Sequence, residues 1–189
     1  MTTVPIPAWN AHGVLPPVNP DDPTGPDRSP YAVSLTDIVL RFGTSPERNR
    51  VLDGWLRYRA ALHELGFLRG FQWLDGSFLE EIELLESRPP KDVDVVTFVE
   101  PPINFAINTN NQHLFDHDWV KEHHLVDHYF VELNLPGDLL VAQSAYWYGV
   151  WSHQRSSLWK GYLQIDLAPD EDETARANLT LEESGRTEP

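Results

Sequence analysis

The chain has no cysteine. That excludes disulfides, zinc–thiolate sites and a cysteine nucleophile. Basic residues are scarce: 14 Lys and Arg stand against 29 Asp and Glu, for a formal net charge of −15 and a pI near 4.7. Affinity for long nucleic acids comes mainly from neutralising phosphates, so an extended nucleic-acid partner is not expected, although a local basic patch stays open. No apolar run approaches the roughly 20 residues needed to span a bilayer, so no membrane partner is expected either. Met1 to Ala11 has neither the basic start nor the apolar run of a secretory signal. The expectation is a soluble, cytoplasmic protein.

What is present suffices for a core. The 189 residues are 41% hydrophobic and include seven Trp, enough for one domain with tails. Residues 1–30 hold eight of the sixteen prolines together with Asp21, Asp22 and Asp27. They read as an extended arm rather than a packed element, with Ile6, Trp9, Val14 and Leu15 available to lie across the domain. Residues 169–189 carry seven acidic and two basic residues and few large apolar ones; this tail is expected to be disordered. The domain proper is residues 31–168.

Within it the punctuation is readable. Ser34 or Thr36 is placed to cap a short helix through Arg41. Thr44-Ser45-Pro46-Glu47 combines a hydroxyl cap, Pro in the first turn and an early Glu. Val51, Trp55, Tyr58, Leu62 and Leu65 then recur at helical spacing until Gly66. Strands are expected over residues 71–74, 92–98, 127–133 and 159–167. Helices are expected over 78–85 and 139–152, the latter with an aromatic face, and in pieces over 103–124. Pro136-Gly137-Asp138 reads as a turn. The fold class is therefore α/β (α+β), with a mixed sheet of about four or five strands and helices mainly on one side.

One stretch carries chemistry. Leu74-Asp75-Gly76-Ser77 closes an apolar run, and Asp92-Val93-Asp94-Val95 opens the next strand, with fourteen residues between Ser77 and Asp92. Alternation places Asp92 and Asp94 on one face. Two carboxylates there need a cation, and a divalent metal is the natural partner. A Gly-Ser turn before a helix offers backbone N–H groups to a phosphate. Phosphate and metal on adjacent strands suit nucleotidyl transfer, in which two ions activate a hydroxyl and hold a triphosphate. Asp127, opening Asp127-His128-Tyr129-Phe130-Val131, is the expected third ligand; Glu132 is the alternative. Arg155 and Lys160 follow the aromatic segment Tyr146, Trp147, Tyr148 and Trp151, and either is a candidate for the triphosphate, as are Arg88 and Lys91.

The ordered set resembles the nucleotidyltransferase superfamily related to DNA polymerase β: a Gly-Ser, a short helix, then an acid-x-acid strand. It is similar in particular to a bacterial family of uncharacterised nucleotidyltransferase-like proteins. That likeness takes in Ile6-Pro7 to Pro17, Arg41-Phe42-Gly43-Thr44, Arg48, Arg50, both motifs, Asp127 with Tyr129-Phe130-Val131, and Lys160-Gly161. It covers roughly residues 5–167. The Ser77–Asp92 interval is longer than the superfamily pattern, and the extra length lies at Glu86 to Lys91.

The resemblance implies that Gly76 and Ser77 contact nucleotide phosphate and that Asp92, Asp94 and Asp127 bind Mg²⁺ or Mn²⁺. The substrate would be an NTP, with ATP expected. Its nucleoside monophosphate would pass to a hydroxyl acceptor on a protein, a small molecule or an RNA end. Superfamily analogy suggests a toxin–antitoxin or phage-defence setting.

Two rivals remain at this point. One is a fold of the same kind that no longer catalyses and serves as a binding or regulatory partner. The other is a histidine-centred metal hydrolase built on His113 and His117, with Asp116, Asp118, His123 and His124 nearby. The plainer reading of those histidines is a solvated helix, and no His-Glu-x-x-His motif is present. His128 alternates to the face opposite Asp127. Nothing around Ser77 has the spacing of a Ser-His-Asp arrangement.

Overall fold

The computed structural model of the chain describes residues 2–186. In chain order the elements are β1 (Tyr31–Ala32), α1 (Leu35–Phe42), α2 (Pro46–Glu64), β2 (Gly70–Asp75), α3 (Ile82–Glu86), β3 (Val93–Val99), α4 (His117–His124), β4 (Val126–Glu132), α5 (Gly137–Trp151), β5 (Leu163–Asp166) and α6 (Asp172–Arg186). Short 3-10 turns precede α3, α4 and α6. The strands form one mixed sheet in the order β1-β5-β2-β3-β4. β2 runs antiparallel to both its neighbours, while β1 with β5 and β3 with β4 are parallel.

The helix starts follow local chemistry. Ser34 caps α1 by accepting from the Asp37 amide at 3.0 Å, and Ser45 caps α2 by accepting from the Arg48 amide at 3.2 Å. Pro46 occupies the first turn of α2. Beyond the far end, Gly66 takes a φ of 88°. The buried side of α2 sets Trp55, Tyr58 and Leu62 against the sheet side that carries Gln72, Val95 and His128. Alternation in β4 then sends Tyr129 to the other side, where its ring lies 4.6 Å from that of Trp147 in α5. So α2 and α5 cover opposite faces. α4 packs on α2 and β4, and α6 packs behind α1 and α2.

Five expectations need correction. The arm is packed: Val14 and Leu15 are buried, the Trp9 indole donates to the Leu79 carbonyl at 2.7 Å, and the Gly161 amide donates to the Leu15 carbonyl at 2.7 Å. Residues 78–85 do not form one helix, because the Arg48 guanidinium takes the carbonyls of Phe78 and Glu80, both at 2.7 Å. Those carbonyls are thereby lost to a helical ladder. Pro136-Gly137-Asp138 starts α5 rather than closing a turn. The last strand is only Leu163–Asp166, and β1, beside it, was not expected. The acidic tail is helical through Arg186: Ala175 and Leu179 are buried, and Asp172 pairs with the buried Arg59 at 2.8 Å. An amphipathic spacing with one interior partner offsets its charge. Residues 187–189 of that segment lie outside the described residues.

α5 has an unusual exterior. Trp147 and Trp151 are buried, but Leu139, Val141, Tyr146, Tyr148 and Val150 are exposed. The expected aromatic face is therefore divided between core and surface. Among the described residues no helix is long and apolar enough to cross a membrane.

Candidate functional site

Strand register assembles the site. Asp75 at the end of β2 pairs with Asp94 in β3, and Asp94 pairs with Asp127 in β4. Paired residues on adjacent strands point to the same face. Three carboxylates therefore form a row across the sheet, on the side covered by α5. Asp92 lies just before β3. Gly76 follows Asp75 with a φ of 86°, and a Cβ at this position would overlap Asp94 Oδ2. Glycine is needed here both for its backbone angle and for the close approach of that carboxylate. Ser77 opens a turn of three residues, Ser77–Leu79. A helix dipole behind Gly76-Ser77 is thus largely missing, contrary to the expectation of a helix.

Two lysines neutralise much of this charge. Lys121, in the last turn of α4, places Nζ 2.7 Å from Asp127 Oδ2 and 3.0 Å from Asp92 Oδ2. Lys160 is buried, with Nζ 2.9 Å from Asp75 Oδ1 and 3.1 Å from Glu80 Oε1. The Asp75 contact is out of line for a hydrogen bond, so it is electrostatic rather than directional. Gln154 completes the node by donating to Glu80 Oε2 at 2.8 Å. Lys160 is therefore a strut under the Gly-Ser loop, not a cation reaching outward for a triphosphate. Arg155 is exposed in the loop after α5, and no contact among the described residues joins it to the carboxylates. Arg88 pairs with Glu86 at 2.7 Å.

The acidities follow from these partners. Burial raises Asp75 to about 7, against the pull of Lys160. Burial raises Asp94 to about 6, and the like charges of Asp127 and Asp92 add to that effect. Burial would also raise Asp127, but the hydrogen bond from Lys121 at 2.7 Å, with the nearby Tyr129 and His117 groups, outweighs it and holds this carboxyl below its ordinary value. Lys121 is pushed upward: its bonds to Asp127 and Asp92 outweigh desolvation. Asp94 thus sits between a neutralised acid on either side, and it accepts no hydrogen bond among the described residues.

The donor set is of the right kind for a hard divalent cation, being carboxylate oxygens alone. Asp127 Oδ1 is buried and lacks a hydrogen-bond partner, with His117 Nε2 at 3.5 Å. In the present arrangement, however, Asp92 and Asp127 converge on the Lys121 ammonium. Among the described residues no three His, Asp or Glu side chains are grouped to hold an ion. The residues therefore suit Mg²⁺ or Mn²⁺ by chemistry, while a lysine occupies the meeting point of two of them.

The histidines do not gather. Asp116 caps α4 between His113 and His117, so these two sit on different elements. His113 lies edge-on to Trp119, His123 stacks on Trp119, and buried His124 faces the Gly54 carbonyl. His128 packs against Tyr58, on the face away from the carboxylate row, as alternation requires. Sequence reasoning missed the roles of Asp75, Glu80 and Lys121. Asp75 had a usable signal, its place directly before Gly76. The Lys121 contact depends on how tightly α4 turns into β4.

Residues 7–166 match the pattern of a family described as "Family of unknown function (DUF6932)". The match spans most of the chain, and the chain belongs to that family. No curated protein and no solved structure matches it.

Proposed function

We propose that this DUF6932 member is a metal-dependent nucleotidyltransferase, in line with its resemblance to the superfamily related to DNA polymerase β. The observation that carries the reading is the register Asp75–Asp94–Asp127, with Gly76 packed against Asp94. Asp92, Asp94 and Asp127 would hold Mg²⁺ or Mn²⁺, which supplies Lewis-acid polarisation of phosphate oxygens when bound. The remaining chemistry belongs to the chain. Gly76 and Ser77 would offer backbone N–H groups to a phosphate. Asp94, the middle carboxylate of the row, is the proposed acceptor of the proton from an attacking hydroxyl. In the transfer the acceptor oxygen bonds to the α-phosphorus of an NTP, with ATP the expected nucleotide. The bond from that phosphorus to the bridging oxygen breaks, pyrophosphate leaves, and the hydroxyl proton passes to the carboxylate.

Net charge favours a protein or small-molecule acceptor over a long nucleic acid. A short RNA end stays within the proposal, as does a toxin–antitoxin or phage-defence setting. One observation favours a second reading, a non-catalytic binding or regulatory protein: Lys121 already bridges two of the three acids. Calorimetric titration of the four NTPs with Mg²⁺ or Mn²⁺ separates the two. Binding of an NTP that Asp92→Asn/Asp94→Asn removes is the expected result. A folded wild type that binds none of the four supports the second reading.

A further inference from the structure

Lys121 is placed by strained backbone. Leu125 adopts left-handed angles, with φ 56°, and its amide closes α4 on the Lys121 carbonyl at 3.2 Å. A left-handed leucine costs about 1–2 kcal/mol. It lets β4 begin at once, so that the last turn of the helix stands over Asp127. The Leu125 carbonyl also accepts from the Val93 amide at 3.0 Å, which fixes this turn to the strand between Asp92 and Asp94. The Lys121 side chain is 42% exposed, while those of Asp92 and Asp127 are 22% and 14% exposed. The ammonium thus reaches inward from solvent onto two carboxylates that are mostly covered. It can withdraw by the same route without moving the backbone.

We infer that Lys121 is an exchangeable counter-ion, holding Asp92 and Asp127 together until a divalent cation takes its place. This rests on the metal-binding reading given above. The exchange follows from charge. Asp92, Asp94 and Asp127 supply three negative charges when ionised. An ammonium and a divalent ion on the same two carboxylates repel each other, and the more highly charged ion gains more from both carboxylates than the ammonium does, so the ammonium is the one displaced. A divalent ion arriving alone must break both lysine contacts and leave the ammonium unpaired. A nucleotide supplies phosphate oxygens to that released ammonium. Metal and nucleotide are therefore linked through Lys121: each binds better when the other is present, and by the same factor.

The test is a Mn²⁺ titration of the full chain, with free ion read by electron paramagnetic resonance. It is run with and without a non-hydrolysable ATP analogue, on wild type, Lys121→Met and Asp94→Asn. The expected result is that Lys121→Met binds Mn²⁺ alone about tenfold more tightly than wild type, the scale of one charge-assisted contact. The analogue then enhances Mn²⁺ binding less in Lys121→Met than in wild type. Lys121→Gln serves in the same way if the methionine variant fails to fold, which circular dichroism reports. If wild type binds Mn²⁺, Asp94→Asn abolishes it, and the Lys121 variants bind no more tightly, the exchange is overturned while the metal site stands. If neither wild type nor the folded Lys121 variants bind Mn²⁺ with or without the analogue, both inferences fall.

Discussion

Lys160→Met tests how the Gly-Ser loop is held. The Lys160 side chain is 6% exposed and lies between Asp75, just before Gly76, and Glu80, just after the Ser77–Leu79 turn. One cation therefore ties both ends of the loop. Methionine keeps much of the length and removes the charge, leaving two covered carboxylates without their common partner. Removing one member of a buried pair costs about 3–5 kcal/mol. For a chain of this size that lowers Tm by about 6–20 °C. The cost also depends on pH. Burial holds Asp75 up to about 7 in the folded chain, above its ordinary 3.8. Between those values the folded state binds more protons than the unfolded one, so stability falls as pH rises through this window and levels off above it. Without Lys160 the main opposing pull is gone and the Asp75 carboxyl rises further. The fall then continues past pH 7 at about 1.4 kcal/mol per pH unit. Urea unfolding of wild type and Lys160→Met at pH 5 and pH 8 should show a gap larger at pH 8 by about 1 kcal/mol or more. Adding Asp75→Asn to Lys160→Met should recover part of the loss at pH 8. A loss under about 1 kcal/mol at pH 8, or an equal loss at both pH values, would refute the reasoning.

Gly76→Ala should lose about 2 kcal/mol or more, from the left-handed backbone and the overlap with Asp94, and should bind NTP more weakly; thermal unfolding and calorimetry read the two effects. Asp94→Asn should stabilise the metal-free chain by about 1–3 kcal/mol at pH 8, because it removes an ionised group that burial, Asp127 and Asp92 all disfavour. The same change should abolish Mn²⁺ binding, and in wild type that binding should weaken as pH falls through about 6. Asp172→Ala should cost about 2–3 kcal/mol by urea unfolding. The buried Arg59 guanidinium keeps Gln72 and the carbonyls of Asp166 and Ala168, and hydrogen exchange should rise first in the opening turns of α6.

Elements whose signals are local were legible in advance. The caps at Ser34 and Ser45 and the run from Val51 to Leu62 lie within a few residues of the features they control, so α1 and α2 were readable almost to their ends. The Val-rich strand β3 was readable for the same reason. The misses share a different cause. The expected helix over 78–85 is broken by Arg48, which is 30 residues away from Phe78. The acidic tail is ordered by Arg59, 113 residues before Asp172. Two-residue β1 has no pattern of its own and exists because β5 offers it an edge. In each case a distant donor or strand overrides what composition suggests.

The candidate site divides along the same line. Gly76, Asp92, Asp94 and Asp127 were legible because alternation and motif spacing determine direction along a strand. Which acids stand side by side is a matter of register between strands, and that register brings in Asp75. The cations are harder still, since their long side chains take direction from whatever carboxylate packing brings within reach. Lys160, a candidate for the triphosphate by its place in the sequence, is drawn under the loop by Asp75 and Glu80. Lys121, which no motif marks, stands over Asp92 and Asp127 because Leu125 turns α4 sharply into β4. The acidic row is balanced by one lysine that is enclosed and one that opens to solvent. In the proposed exchange only the second gives way to an arriving cation, and this difference in exposure is what makes the two lysines separable by experiment. Lys160 variants should act mainly on stability, whereas Lys121 variants should also tighten the binding of Mn²⁺ measured without nucleotide.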